Sequence, residues 1–242
     1  MNSLRACITV AHRELASYLR TGAGWIIIVL FLLLTGTVFA LSAIAPGRPA
    51  SMRVFFEASG WLLMPLAPAV SMRLLAEEAR TGSMEVLMTS PLNTAWLVLG
   101  KLLGACAFLV LMVLPTLVLP VALWMMSDPH PDLGPIIAGY LCLLLLGLFY
   151  LSIGLVASAM TSNATLAFIA GLFILLGFLL VGTLGRQLPQ PWQDVCFALS
   201  LPPRLNDFAK GVIDSRHIVY FVSASGLCWV LAVMMVQWKR WK

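Results

Sequence analysis

Six apolar runs, at about residues 24–45, 56–76, 95–126, 134–159, 166–184 and 217–238, take up most of this 242-residue chain. A hydrocarbon core ~30 Å thick is crossed by a helix of roughly 20 apolar residues, and each run reaches about that length. None shows the short alternating segments of a barrel strand, and backbone polar groups inside lipid must be satisfied within helices or a closed barrel. The runs therefore predict an all-α integral membrane protein, a six-transmembrane-helix bundle forming one domain over residues 1–242. Only 10% of residues are charged, against about 25% in soluble domains. Pro65 and Pro68 in the second run, and Pro115 and Pro120 in the third, predict kinks or breaks there.

Basic residues set the expected orientation. With the N-terminus inside, nine lie on the inner side (Arg5, Arg13, Arg20, Arg73, Arg80, Lys101, Lys239, Arg240 and Lys242) and six outside. The positive-inside tendency then favours both termini in the cytoplasm, so the formal net charge of +5 reflects membrane orientation rather than nucleic-acid affinity. Mostly polar residues precede the first run, which is too long for the core of a signal peptide, so no cleavable leader is expected. Cys7, Cys106, Cys142, Cys196 and Cys228 are scattered and read as apolar filler rather than a disulfide framework. Most tryptophans fall near predicted membrane boundaries, as an interfacial belt requires.

Residues 3–20 place Leu4, Ile8, Ala11, Leu15 and Tyr18 on one helical face and Arg5, Arg13, Ser17 and Arg20 away from it. That pattern predicts an amphipathic interfacial helix; a soluble helix packed on another subunit is the alternative. Before the sixth run, residues 185–216 predict two short outer helices. One follows Pro191, with Trp192, Val195, Cys196 and Leu199 on a face, and is ended by Pro202-Pro203. The other carries Leu205, Phe208, Ala209 and Val212 and is interrupted by Gly211. Both would cap the bundle at the outer interface, against the alternative of a plain surface loop. Small residues such as Gly154 with Ser158, and Ala167 with Gly171, permit close helix approach.

Catalytic chemistry finds little support. No GxxxxGK[ST] occurs, so no P-loop nucleotide site is expected, and Lys101 in WLVLGKLLG reads as a lysine snorkelling to the inner interface. His12, His130 and His217 are dispersed, which disfavours a metal site. SASG at 223–226 resembles the serine turn of rhomboid-type intramembrane proteases, yet no run interior holds a histidine base. Charges of the kind that couple carriers to ions are missing from the run centres. Energy must come from elsewhere.

The stretch AEEARTGSMEVLMTSPLN, residues 76–93, stands apart as a polar island. Glu77, Glu78 and Arg80 are expected to carry the second helix into water, and Gly82 to end it. Ser83 can cap a new short helix with Glu85 in its first turn, where the dipole favours an anion. Met84, Leu87 and Met88 then share one face, Pro91 stops the helix, and Asn93 or Thr94 can cap the third span. The product is a short coupling helix with an apolar stripe, shaped to dock in a groove on another protein.

EEARTGSMEVLMTSPLNTAWLVLGK resembles the signature of ABC type-2 exporter permeases, through Glu77, Glu78, Gly82, Ser83, Glu85, Leu87, Ser90, Pro91, Gly100 and Lys101. FAKGVIDSRHIVYF, 208–221, resembles the branch containing the gliding-motility permease subunit. The resemblance implies a bacterial inner-membrane permease subunit with no cofactor of its own, pairing with a second permease chain, identical or paralogous. Separate ABC ATPase subunits would bind ATP. It further implies that Glu77, Glu78, Arg80, Gly82, Ser83, Met84, Glu85, Leu87, Met88 and Pro91 form the ATPase-coupling contact, with the 160–165 turn a lesser one. Membrane lipid surrounds such a chain, and a periplasmic partner fits the gliding branch. The alternative function is a membrane anchor through which an ATPase works mechanically on an envelope partner; an intramembrane enzyme is disfavoured.

Overall fold

The computed structural model describes residues 3–43, 51–81, 93–128, 130–185, 189–190 and 192–239. In chain order these form α1 (Ser3–Arg20), α2 (Gly22–Ala43), α3 (Arg53–Ser71), α4 (Ala76–Thr81), α5 (Thr94–Val113), a 3₁₀ turn (Leu114–Leu117), α6 (Val118–Met126), α7 (Leu133–Met160), α8 (Ala164–Leu184), α9 (Trp192–Leu199), α10 (Pro202–Ala209) and α11 (Ser215–Lys239). No strand occurs among the described residues. Six helical stretches are long and apolar enough to cross a membrane, so the protein is a helical membrane bundle.

α7 is the axis of that bundle. Its span is 67% buried, while those of α8 and α11 are 17% and 22% buried, which leaves the latter two on the periphery. α3 lies beside α7 and runs in the same direction: Phe56 meets Gly139, Gly60 meets Leu146, and Ser71 meets Gly154. Phe55, Leu63, Leu143, Leu146 and Phe149, all fully enclosed, fill the seam. Two ends can be distinguished, the linker end, where α4 stops at Thr81 and α5 is capped by Asn93, and the far end opposite it.

The second apolar run does not continue as one helix into the polar island. α3 stops at Ser71, residues 72–75 form a turn, and α4 starts afresh at Ala76. The cause is a side chain from α7. In an unbroken helix the Met72 carbonyl would accept from the Ala76 N–H. Here the Ser158 hydroxyl stands between them, donating to the Met72 carbonyl at 2.9 Å and accepting from the Ala76 N–H at 2.9 Å and the Leu75 N–H at 3.0 Å. A side chain inserted into the helical ladder is a recognised cause of a sharp break. Ser71 fits against α7 because Gly154 has no side chain; a Cβ there would collide with the Ser71 hydroxyl. The proline effect expected in the third run takes the form of the 3₁₀ turn at Leu114–Leu117, where the Tyr140 hydroxyl donates to the Thr116 carbonyl at 2.9 Å.

α1 packs along the start of α5 by a stripe that keeps Ala11 and Tyr18 of its apolar face but leaves Leu4 and Ile8 out. Leu4 and Ile8 are 59% and 58% exposed, while Ala6 and Cys7 are buried. Gly100 and Gly104 explain the rotation. A Cβ at Gly100 would stand 2.8 Å from the Cys7 carbonyl oxygen, and one at Gly104 2.8 Å from that of Ala11. Such close backbone approach selects the small-residue side of α1.

At the far end, Pro202-Pro203 opens α10 rather than only closing α9; proline suits the first turn of a helix, whose N–H groups have no intrahelical partner. Gly211, at φ +83°, ends α10 with its N–H on the Phe208 carbonyl and the Val212 N–H on that of Asp207, the paired bonds of a Schellman cap. Phe208 is fully enclosed against α7 and α3, so α10 covers the bundle there.

Candidate functional site

At the linker end, α1, α4 and α5 converge on one buried cation. The helical repeat of α1 puts Cys7, Ala11, Glu14 and Tyr18 along one stripe, and seating that stripe on Gly100 and Gly104 brings Glu14 beside Lys101. The restart of the chain after residue 75 turns Glu78 toward the same point. The Lys101 Nζ lies 2.8 Å from Glu78 Oε1 and 3.5 Å from Glu14 Oε2, and Arg13 Nη2 approaches the same Glu78 oxygen at 3.8 Å. The Lys101 side chain is only 3% exposed, whereas that of Arg13 is 61% exposed.

Lys101 therefore does not snorkel to an interface, as its sequence context suggests. Two carboxylates from other helices meet it where it stands, which removes the need to reach water. A charge so buried survives only when paired, and breaking such a pair costs about 3–5 kcal/mol because the remaining partner is stranded. Burial raises the Glu14 pKa above its ordinary range; Lys101 opposes that rise and the neighbouring Glu78 adds to it. The second oxygen of Glu78, Oε2, is buried without a hydrogen-bond partner among the described residues.

Tyr18 completes the arrangement. Its hydroxyl donates to the Val70 carbonyl at 2.8 Å, an acceptor that the break at 72–75 deprives of its normal helical partner at residue 74. Its ring stacks at a tilt on Phe108, with centroids 4.9 Å apart. Burial, above all, pushes its pKa well above the ordinary tyrosine value. On the other arm of the hairpin, the Asn93 side chain accepts from the Ala95 N–H at 3.1 Å and caps α5.

Of the residues singled out from sequence for coupling, Glu77 and Arg80 are exposed on α4 and Glu78 is turned inward. Gly82, Ser83, Met84, Glu85, Leu87, Met88 and Pro91 lie outside the described residues. Three features that matter here escaped the sequence reading: the place of Glu14, the pairing role of Lys101, and the hydrogen bonds of Ser158, which reads from sequence only as a small packing residue. Glu14 did leave a signal, since it follows Ala11 by three positions and precedes Tyr18 by four, which puts a charge on an apolar stripe. Chemically the cluster is a fixed set of charges that ties three helices together. Among the described residues no group of three His, Cys, Asp or Glu is placed to hold a metal ion.

A family model described as "ABC-2 family transporter protein" matches residues 8–206, which hold the whole cluster and the linker. The chain belongs to the ABC-2 transporter family. No curated protein matches it significantly. ABC-2 proteins are the membrane components of ABC transporters and in general work with ATPase partner subunits. The ion cluster of this ABC-2 permease thus joins Glu78, before the linker in sequence, to Lys101, after it, and ties α4 to α5.

Proposed function

We propose that this ABC-2 protein is the permease subunit of an exporter, paired with a second permease chain and gripped by two cytoplasmic ATPase subunits at residues 77–93. The reading places it in a bacterial inner membrane with both termini in the cytoplasm, as the excess of basic residues at the linker end favours. Met84, Leu87 and Met88 seat in the ATPase cleft, and Glu77, Arg80 and Glu85 make polar contacts at its rim. α1 lies along the inner headgroup layer with Leu4 and Ile8 toward lipid, and 160–165 is a secondary contact.

One observation carries the reading: Glu78 and Lys101 pair at 2.8 Å inside the protein. That anchorage gives the linker a firm base, so that a push on it moves α1, α4 and α5 together instead of being absorbed locally. Purification from native vesicles tests it. The expected result is a complex with a nucleotide hydrolase that survives washing; repeated recovery of the permease alone would overturn it.

The likeness of residues 208–221 to the gliding-motility branch supports a second reading, an anchor that transmits force to an envelope partner. Reconstituted complex that hydrolyses ATP but moves no labelled lipid or solute would favour that reading.

A further inference from the structure

The linker joins α4 to α5, and the simplest expectation is that these two spans alone receive its motion. The hydrogen bonds at residues 72–76 point elsewhere. A serine hydroxyl has one proton and two acceptor sites, and Ser158 uses all three on the backbone of the turn between α3 and α4. It is completely buried. One turn earlier on α7, Gly154 admits Ser71 from the other side of the same turn. The two positions together form a notch on α7 that holds the elbow by its main chain.

The elbow keeps a tie to its own helix through the Met72 N–H on the Pro68 carbonyl at 2.8 Å, but the start of α4 does not. With Ser158 interposed, the helical bond from Ala76 to Met72 is unmade, and the N–H of Leu74 turns back to Ser71 in a tighter loop at 3.1 Å. Leu74, Leu75 and Ala76 are fully enclosed, so water cannot substitute for the lost bonds. α4 is thus continuous with α3 in sequence but hydrogen-bonded to α7 in space. α7 is also the most buried span and the common neighbour of α3, α5, α8 and α11.

We propose that Ser158 is a positioning residue for energy coupling: it makes α7 the receiver of displacement at the linker, by way of the Met72–Ala76 backbone. The proposal rests on the reading that an ATPase grips residues 77–93. Without the hydroxyl, the Met72 carbonyl and the Ala76 N–H can close the ordinary helical bond. α4 then becomes an extension of α3 and is released from α7.

Hydrogen exchange followed by mass spectrometry on the permease–ATPase complex, with and without ATP under hydrolysis-blocking conditions, tests this. In the wild type, nucleotide is expected to change exchange both in a peptide covering 74–81 and in one covering 152–163. In Ser158→Ala the response is expected to persist at 74–81 and to be lost at 152–163. A 152–163 response that survives the substitution overturns the proposal. If the alanine complex does not assemble, Ser158→Cys serves, since a thiol keeps nearly the same shape but is a weak donor and acceptor. A wild-type complex in which 74–81 ignores nucleotide overturns the gripped-linker reading itself, and this proposal falls with it.

Discussion

Glu78 and Lys101 flank the linker in sequence and meet at 2.8 Å in the fold, with the lysine almost wholly withdrawn from water. That contact fastens α4 to α5 on either side of the linker. Most of the behaviour expected of this protein follows from how that fastening is shared between Glu78, Glu14 and Arg13.

Single neutralisation should cost more than double replacement. Lys101→Met strands two carboxylates, and Glu78→Gln leaves the lysine with only the longer contact to Glu14. Each is expected to destabilise by about 3–5 kcal/mol, and Lys101→Met with Glu78→Met by less, since the double change exchanges the closest pair for apolar packing and strands only Glu14. Thermal unfolding of the detergent-solubilised protein, read by loss of monodispersity, measures the order. Equal losses in the single and double variants would show that the pair is not coupled.

Glu14 should behave in the opposite sense to a stabilising carboxylate. Its pKa is raised in the folded protein, chiefly by burial. A raised folded value means that its contribution to stability is fully present below the unfolded pKa, near 4.5, and is lost as pH rises through the folded value. Glu14→Gln should therefore flatten the decline in melting temperature as pH rises above about 4.5, and leave Lys101 held by Glu78. Parallel pH profiles for the two proteins would contradict this.

The seat of α1 is open to a steric test. Gly104→Ala places a Cβ 2.7 Å from that of Glu14 and 2.8 Å from the Ala11 carbonyl oxygen. Backbone cannot yield cheaply, so a cost of about 1–3 kcal/mol is expected from overpacking, with faster tryptic cleavage after Arg13. Gly36→Ala is the control, because a Cβ there meets nothing within 4 Å.

Met84→Asp combined with Glu85→Lys should leave the bundle folded and abolish permease-dependent change in ATPase rate. A charge buried against an apolar groove is costly, and the reversal removes the anion favoured in a helix's first turn. Size-exclusion behaviour together with ATPase rates in the reconstituted complex would show it. Unchanged stimulation would remove these residues from the contact.

The sequence made the six crossings legible because apolar run length is a local property. The linker's polarity was legible for the same reason. What escaped prediction depended on partners distant in the chain. The break at 72–75 is made by Ser158, which is far away in sequence and looks like any small packing residue. The packing face of α1 follows from Gly100 and Gly104 on another helix, while Leu4 and Ile8 of its apolar face stay exposed. Lys101 looked like an interface lysine until two carboxylates from separate helices were placed around it. Pro202-Pro203 reads from sequence as the end of one helix, whereas proline also suits the first turn of the next, which is where the fold puts it.

The two cations of the cluster differ in their contact with water, and salt should separate them. Ions at physiological strength screen charges beyond about 8 Å and weaken exposed pairs, so Arg13, standing in solvent, loses its pull on Glu78 as salt is added. Lys101 lies where dissolved ions do not enter. The roots of the hairpin should therefore stay joined in dilute buffer and in concentrated brine alike, with only the outermost of its attachments rising and falling with the medium.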